Sequence, residues 1–450
     1  MRIAPLSGFP ELRPSERFVE LSVLDTLRST FELHGFAPVE TRAAEPMDQL
    51  LRKGEIDKEV YVLRRLHADD AGAAGDSGLG LHFDLTVPFA RYVLENAGKL
   101  EFPFRRYQIQ KVWRGERPQE GRYREFTQAD IDVVARDVLP FHHDVEVARV
   151  MVEALSALAF LPHLRLQVNN RKLIEGFYLA IGAADPGAVM RVVDKIDKVP
   201  IERLRAMLGT DAGLDDAQAE KCLALARISS SDASFVGQVR ALGVTHPLLD
   251  AGLDELAAVV SGAAGIASGR VSLVADLSIA RGLDYYTGTV FETRMAGSES
   301  LGSICSGGRY DSLASDGKTT YPGVGISLGV TRMLVPLFNS GRLTASRSVP
   351  SAVLVAVTDE ATRPASDAVA QELRARGIAA EVAPSAAKFG RQIRTAERRG
   401  IPFVWFPDQS EVKDIRSGDQ VAADVASWEP PEQDRRPHVV HRGAEAGERS

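Results

Sequence analysis

Cysteine is nearly absent: only Cys222 and Cys305 occur in 450 residues. They lie far apart and without metal-ligand spacing, so neither a disulfide framework nor a zinc site is expected. No apolar run approaches the ~20 residues needed to span a bilayer. Residues 1–17 carry no apolar signal core, and a reducing cytoplasm is the expected setting. A surplus of positive charge is missing as well, since 61 acidic side chains outnumber 54 basic ones for a formal charge of −7. That total does not suggest a nucleic-acid binder, although binding depends on local clusters rather than on the sum. The length exceeds one compact core and predicts two to three domains.

What is present is concentrated in a few segments. Arg281-Gly-Leu-Asp-Tyr-Tyr-Thr-Gly-Thr-Val-Phe-Glu292 sets planar guanidinium donors, suited to a carboxylate or phosphate, just before two tyrosines. A buried tyrosine hydroxyl needs a partner, so the combination suits a small polar ligand beside an anion. The alternation from Thr289 to Thr293 reads as a strand. On extended backbone, neighbours point to opposite faces, so only one of Tyr285 and Tyr286 is expected to line any one pocket.

Residues 106–132 read as a long hairpin: β-prone runs Tyr107–Trp113 and Tyr123–Thr127 are joined by a loop holding Pro118 and Gly121. Arg114 and Glu116 stand two apart at the end of the first arm, hence on one face. Such a pair can grip a phosphate with the guanidinium and accept from a base amine with the carboxylate, although a surface ion pair would look the same.

Elsewhere, residues 14–35 read as a helix with Ser15 as cap, Phe18, Leu21, Leu24, Leu27 and Phe31 as its apolar stripe, and Gly35 as its stop. Pro38–Thr41 reads as a short strand. His82-Phe-Asp-Leu-Thr-Val-Pro88 follows a loop at 68–80 rich in glycine, alanine and aspartate; Asp84 and Thr86 there could simply form a local cap. After the strand Leu164–Val168, residues 170–262 are helix-rich, and strand signals return at Ser272–Ile279. Leu301–Asp311 reads as a glycine-rich turn that lets backbone approach a ligand, and the small residues of Gly323–Gly329 run into a helix holding Arg332. From about residue 348, short β and α units alternate, predicting an α/β domain with a largely parallel sheet. Its second helix, 386–399, carries Lys388, Arg391, Arg394 and Arg398 on one face. Residues after Trp428 have little to bury and are expected to be disordered.

These segments together resemble the histidyl-tRNA synthetases, a family of class II aminoacyl-tRNA synthetases, over residues 6–428. Residues 14–41 are similar to motif 1, 106–132 to motif 2 and 323–332 to motif 3; 82–88 and 281–292 resemble the histidine-specific segments. The resemblance implies an α+β catalytic domain on an antiparallel sheet (1–168 and 264–342), a helical insertion (169–263), an anticodon-binding α/β domain (346–428) and a disordered tail (429–450). It implies ligation of histidine to tRNA(His) with ATP as substrate, Mg2+ on the phosphates, no metal held by the protein, and a homodimer.

By the same resemblance Asp84, Leu85, Thr86, Gln128, Asp132, Tyr285 and Tyr286 would hold histidine. Arg114, Glu116, Phe126, Arg281 and Arg332 would hold ATP, Arg114 and Arg281 being catalytic at the α-phosphate. Gln119, Lys388, Arg391, Arg394 and Arg398 would meet tRNA. Three departures stand out: Ser306 replaces a usual glycine, Thr331 replaces the glutamate that usually precedes the motif 3 arginine, and Leu6–Pro10 lacks the common opening. The alternative is a non-catalytic relative, either a regulatory subunit of ATP phosphoribosyltransferase or a tRNA sensor. Such proteins normally lose the ATP-binding arginines or the C-terminal domain.

Overall fold

A computed structural model describes residues 4–51, 59–65, 78–267, 269–280 and 285–442. The chain divides into two compact units, residues 1–10 with 24–335 and residues 11–23 with 336–450.

The first unit is built on a sheet whose strands are β1 (Ala37–Pro38), β2 (Phe104–Trp113), β3 (Glu125–Val134), β4 (Leu164–Asn170), β5 (Ser229–Ser230), β6 (Val271–Asp276), β7 (Thr289–Met295), β8 (Cys305–Tyr310) and β9 (Gly323–Gly329). Their order across the sheet is β1-β2-β3-β9-β8-β7-β4-β6-β5. From β2 to β4 every pairing is antiparallel; β1 with β2 and β4 with β6 are parallel. The fold is therefore the mixed class expected, a large antiparallel sheet dressed with helices. Both arms of the β2–β3 hairpin run further than the sequence pattern predicts. Residues 127–134 are buried throughout, so the alternation that marks a half-exposed strand is absent. The helix-rich stretch contains helices from Arg171–Ala180 to Pro247–Ala264, and β5 returns from it to pair with β6.

The first helix spans Pro14–Leu33, so Ser15 lies inside its first turn rather than at the cap. Instead the Glu16 carboxylate accepts the Arg13 N–H at 2.7 Å. Its buried stripe is Val19, Val23, Leu27 and Phe31, four apart, with Leu24 beside them, whereas Leu21 is 40% exposed. Gly35, at φ +76°, ends the turn that follows.

The second unit carries β10 (Val353–Val355), β11 (Ala380–Val382), β12 (Phe403–Phe406), β13 (Glu411–Asp414) and β14 (Gln420–Ala422) in the order β11-β10-β12-β13-β14. Only β11-β10-β12 is parallel. Beyond Phe406 the chain makes a short helical turn and passes through Ser410 at φ 49°, and β13 and β14 add antiparallel to the parallel strands that the alternation predicts. Helices Arg363–Ala375 and Phe389–Arg399 cover this sheet.

Residues 429–442, expected to be disordered, are ordered within the same unit. Val439–His441 pairs with Leu343–Ala345, and the buried Asp434 carboxylate meets the Arg416 guanidinium at 2.8 Å. A strand partner and an ion pair to a buried carboxylate supply what the composition did not reveal. Residues 443–450 lie outside the described residues.

Candidate active site

The central strands converge on two adjoining clefts. Because β3 is extended, Gln128, Asp130 and Asp132 fall on one face and all three line the first cleft. Opposite them on β9 stand Ser327 and Gly325, in register with Asp130 and Asp132. The walls come from Asp84 and Thr86, the turn at Tyr285 and Tyr286, Tyr310 on β8, and Arg114.

Several of these polar groups have defined partners. Asp84 accepts the Val87 N–H at 3.0 Å, opening the helix Thr86–Asn96. Asp132, 3% exposed, meets the Arg106 guanidinium at 2.6 Å and accepts from the Tyr310 hydroxyl at 2.8 Å. Gln128 donates to the Ser327 hydroxyl at 2.7 Å. Asp130 is deeply buried, and loss of hydration pushes its carboxyl up to about 7, with Asp132 and Asp84 adding to the rise while Arg106 opposes it. The Tyr285 and Tyr310 phenols are likewise pushed up by burial.

Gly325 makes the depth of this cleft possible. A Cβ there would lie 2.1 Å from an Asp132 carboxylate oxygen. At Gly308 a Cβ would come within 2.7 Å of the Tyr286 ring. The expected glycine-rich turn is in fact strand β8, and its glycines make room for protein neighbours.

The second cleft shares Arg114, Gln128, Ser306 and Ser327 with the first, and adds Glu116, Arg122, Tyr123, Phe126 and Arg332. The Arg114 guanidinium donates to the Phe83 carbonyl at 2.9 Å and lies 5.2 Å from the Phe126 ring centroid. Glu116 has the Arg122 guanidinium at 3.4 Å. Arg332, just inside the helix Val330–Asn339, donates to the Leu301 carbonyl. The Thr331 hydroxyl accepts the buried Thr127 N–H at 2.8 Å, tying this helix to β3.

Asp84, Thr86, Gln128, Asp132, Tyr285, Tyr286 and Arg114 thus meet in the first cleft, and Arg114, Glu116, Phe126 and Arg332 in the second. Both tyrosines line the first, with ring centroids 4.1 Å apart. They precede β7 in a turn, where the two-residue alternation of a strand does not apply. Leu85 is wholly buried, and its carbonyl faces Arg106 at 3.5 Å. Gln119 sits in the exposed hairpin loop, paired with Arg122. Arg281 lies outside the described residues. Asp130, Arg106 and Tyr310 were missed; the alternation Gln128-x-Asp130-x-Asp132 was the signal for the first of them. Cys305 is buried and its thiol pushed up by desolvation, as suits a packing residue.

In the second unit Arg391, Arg394 and Arg398 are exposed along one helix, while Lys388 occupies the cap position before it. Among the described residues none of the four makes an ion pair. Among the described residues, groups of acidic, histidine or cysteine side chains able to hold a metal are absent and no helix is long and apolar enough to cross a membrane.

Comparison with known proteins gives consistent matches. A family model for histidyl-tRNA synthetase matches residues 8–333, and one for an anticodon binding domain matches residues 351–422. The chain is 61% identical to a histidine–tRNA ligase of Cutibacterium acnes, covering 98% of this chain and 99% of the relative. It is 60% identical to that of Micrococcus luteus at the same coverage. Among solved structures, histidyl-tRNA synthetase from Nostoc superposes with TM-score 0.82 at 33% identity, covering 95% of this chain and 98% of that one. A Bacillus halodurans protein described as an ATP phosphoribosyltransferase regulatory subunit/histidyl-tRNA synthetase shares the fold at TM-score 0.72 and 18% identity, over 90% of this chain and 97% of that one.

Proposed function

The chain belongs to the histidyl-tRNA synthetase family, and from that premise we propose how its residues divide the work. Its activity is that of a histidine–tRNA ligase. Histidine is activated by ATP, its carboxylate attacking the α-phosphorus while pyrophosphate leaves, and the histidyl group then passes to the 3′ end of tRNA(His). Phosphoryl transfer of this kind needs positioning and charge neutralisation more than covalent help from the protein.

The first cleft takes histidine. Asp84, Thr86 and Gln128 receive its amino and carboxylate groups, the peptide at Leu85 lying between the first two. Asp132 and Tyr286 read the imidazole nitrogens, with Tyr285 beside them. A site that hydrogen-bonds a substrate nitrogen rejects analogues lacking it by roughly 10⁴–10⁵. The second cleft takes ATP: Arg114 meets the α-phosphate, Arg332 the γ-phosphate, Glu116 the adenine amine and Phe126 the ring. Arg281 is proposed to neutralise the α-phosphate from the other side. The single observation that carries this division is Arg114, which lines both clefts where the reacting groups would meet.

Among the described residues Glu116 is the one carboxylate lining the second cleft, against Arg114, Arg122 and Arg332. This donor set suits magnesium carried in by the ATP phosphates, where it would offset their charge, rather than a cage of protein ligands. Residues 346–428 are proposed to read the anticodon, with Lys388, Arg391, Arg394 and Arg398 as phosphate contacts and Gln119 touching tRNA from the hairpin loop. A homodimer follows from the resemblance of residues 14–41 to motif 1. A cytoplasmic setting is supported by two free, buried thiols.

The non-catalytic alternative is disfavoured by the arginines gathered in one cleft and by the matched anticodon-binding segment. Pyrophosphate exchange into ATP tests the choice. The pure protein should exchange only when histidine is present and should then charge tRNA(His). Histidine binding without exchange would identify a regulator.

A further inference from the structure

Resting on the assignment of the first cleft to histidine, we propose that Asp130 is a further substrate-binding residue, whose carboxylate takes the α-ammonium group of histidine and releases a proton to solvent as it does so.

The geometry sets Asp130 apart from the other two carboxylates lining the cleft. Asp132 has its charge matched by Arg106 at 2.6 Å and by the Tyr310 hydroxyl. Asp84 is turned to the Val87 N–H. Asp130, 2% exposed, lies between Gln128 and Asp132 on the same face of β3. The Ser327 hydroxyl bonds its carboxylate and accepts from Gln128 at 2.7 Å. Its Oδ1 is buried and has no hydrogen-bond partner among the described residues. A buried acceptor left empty is costly, and a cation entering the cleft relieves that cost. The α-ammonium is the permanent cation of the substrate near neutral pH.

Among the described residues the charged and titratable groups around Asp130 are Arg106 on β2, Asp132 on β3, Asp84 ahead of the helix Thr86–Asn96, Tyr285 in the turn before β7, and Cys305 on β8. Arg106, the nearby cation among them, is engaged by Asp132. The Asp130 carboxyl is raised to about 7, so below that pH it is mostly protonated. Binding the ammonium stabilises the ionised form, and the bond broken is the carboxyl O–H, its proton passing to water. Histidine affinity must therefore weaken as pH falls through 7, by up to about tenfold per unit. Well above pH 7 the carboxyl is already ionised and this dependence vanishes.

The test compares the full-length protein with Asp130→Asn, a near-isosteric change that keeps a hydrogen-bonding side chain but cannot ionise. Pyrophosphate exchange is measured from pH 6 to pH 8.5, with deamino-histidine as a competitive inhibitor. The variant should need about tenfold more histidine at pH 8 or beyond, while its KM for ATP stays within about twofold. The component of the histidine KM that rises below pH 7 in the wild type should be lost. The advantage of histidine over deamino-histidine should shrink by the same factor as the KM rises. Should Asp130→Asn prove unstable, Ser327→Ala offers a second readout: without its hydroxyl donor the carboxyl is harder to ionise, and the pH-dependent component should move to higher pH. A wild-type histidine KM and pH profile in folded Asp130→Asn would overturn the proposal, as would an unchanged preference for histidine over its deamino analogue. Absence of histidine-dependent exchange in the wild type would instead sink the assignment of the cleft.

Discussion

Arg106 and Asp132 face each other across β2 and β3, with a guanidinium nitrogen 2.6 Å from a carboxylate oxygen and both side chains withdrawn from water. Asp132 lines the first cleft, and the Arg106 guanidinium that holds it also lies 4.3 Å from the Phe89 ring centroid. Breaking a buried pair leaves an uncompensated charge and costs about 3–5 kcal/mol, whereas replacing both members by apolar groups can be nearly neutral. Arg106→Met should therefore lower unfolding stability by several kcal/mol. Adding Asp132→Leu should recover much of that loss but not histidine-dependent exchange. Urea unfolding beside exchange assays separates the two effects, and full activity in the stable double variant would remove Asp132 from the histidine site.

Thr331 tests whether the departure from glutamate is supported from elsewhere. Its hydroxyl accepts the Thr127 N–H, and Thr331→Val keeps the shape but strands that buried donor. A loss of about 1–3 kcal/mol in stability is expected, with the KM for ATP rising more than that for histidine because β3 carries Phe126 next to the affected peptide. Equal changes in both constants would mean that the bond serves the fold alone.

Much of this was legible in the sequence, for identifiable reasons. The β2–β3 hairpin, the first helix stopped near Gly35 and the strand running into the Arg332 helix all rest on local signals: β-prone runs, a left-handed glycine and periodicity. What escaped depends on contacts distant in sequence. Nothing near Asp130 announces Ser327 as its neighbour, and the Thr127–Thr331 bond joins residues 204 positions apart. Tyr285 and Tyr286 were misjudged because strand periodicity was extended back into a turn. The tail after Trp428 was misjudged because an ion pair to a buried carboxylate and three paired residues outweigh a polar composition.

The basic face of the second unit should separate the two chemical steps. Changing Lys388, Arg391, Arg394 and Arg398 to alanine should leave pyrophosphate exchange nearly unaltered and weaken tRNA charging. Wild-type charging should also fall steeply with added salt as phosphate contacts exchange with counterions. Unaltered charging by the quadruple variant would show that this face is merely solvated.

The central claim is that histidine and ATP meet at Arg114, where the two clefts join. Pyrophosphate exchange by Arg114→Ala tests it most directly, with folding verified by an unchanged unfolding transition. Loss of one preorganised donor at a reacting phosphate typically costs ~10²–10³ in rate, and a fall of that size, with binding of histidine alone little changed, is the predicted result. Exchange within a few-fold of wild type in a folded Arg114→Ala protein would contradict the account.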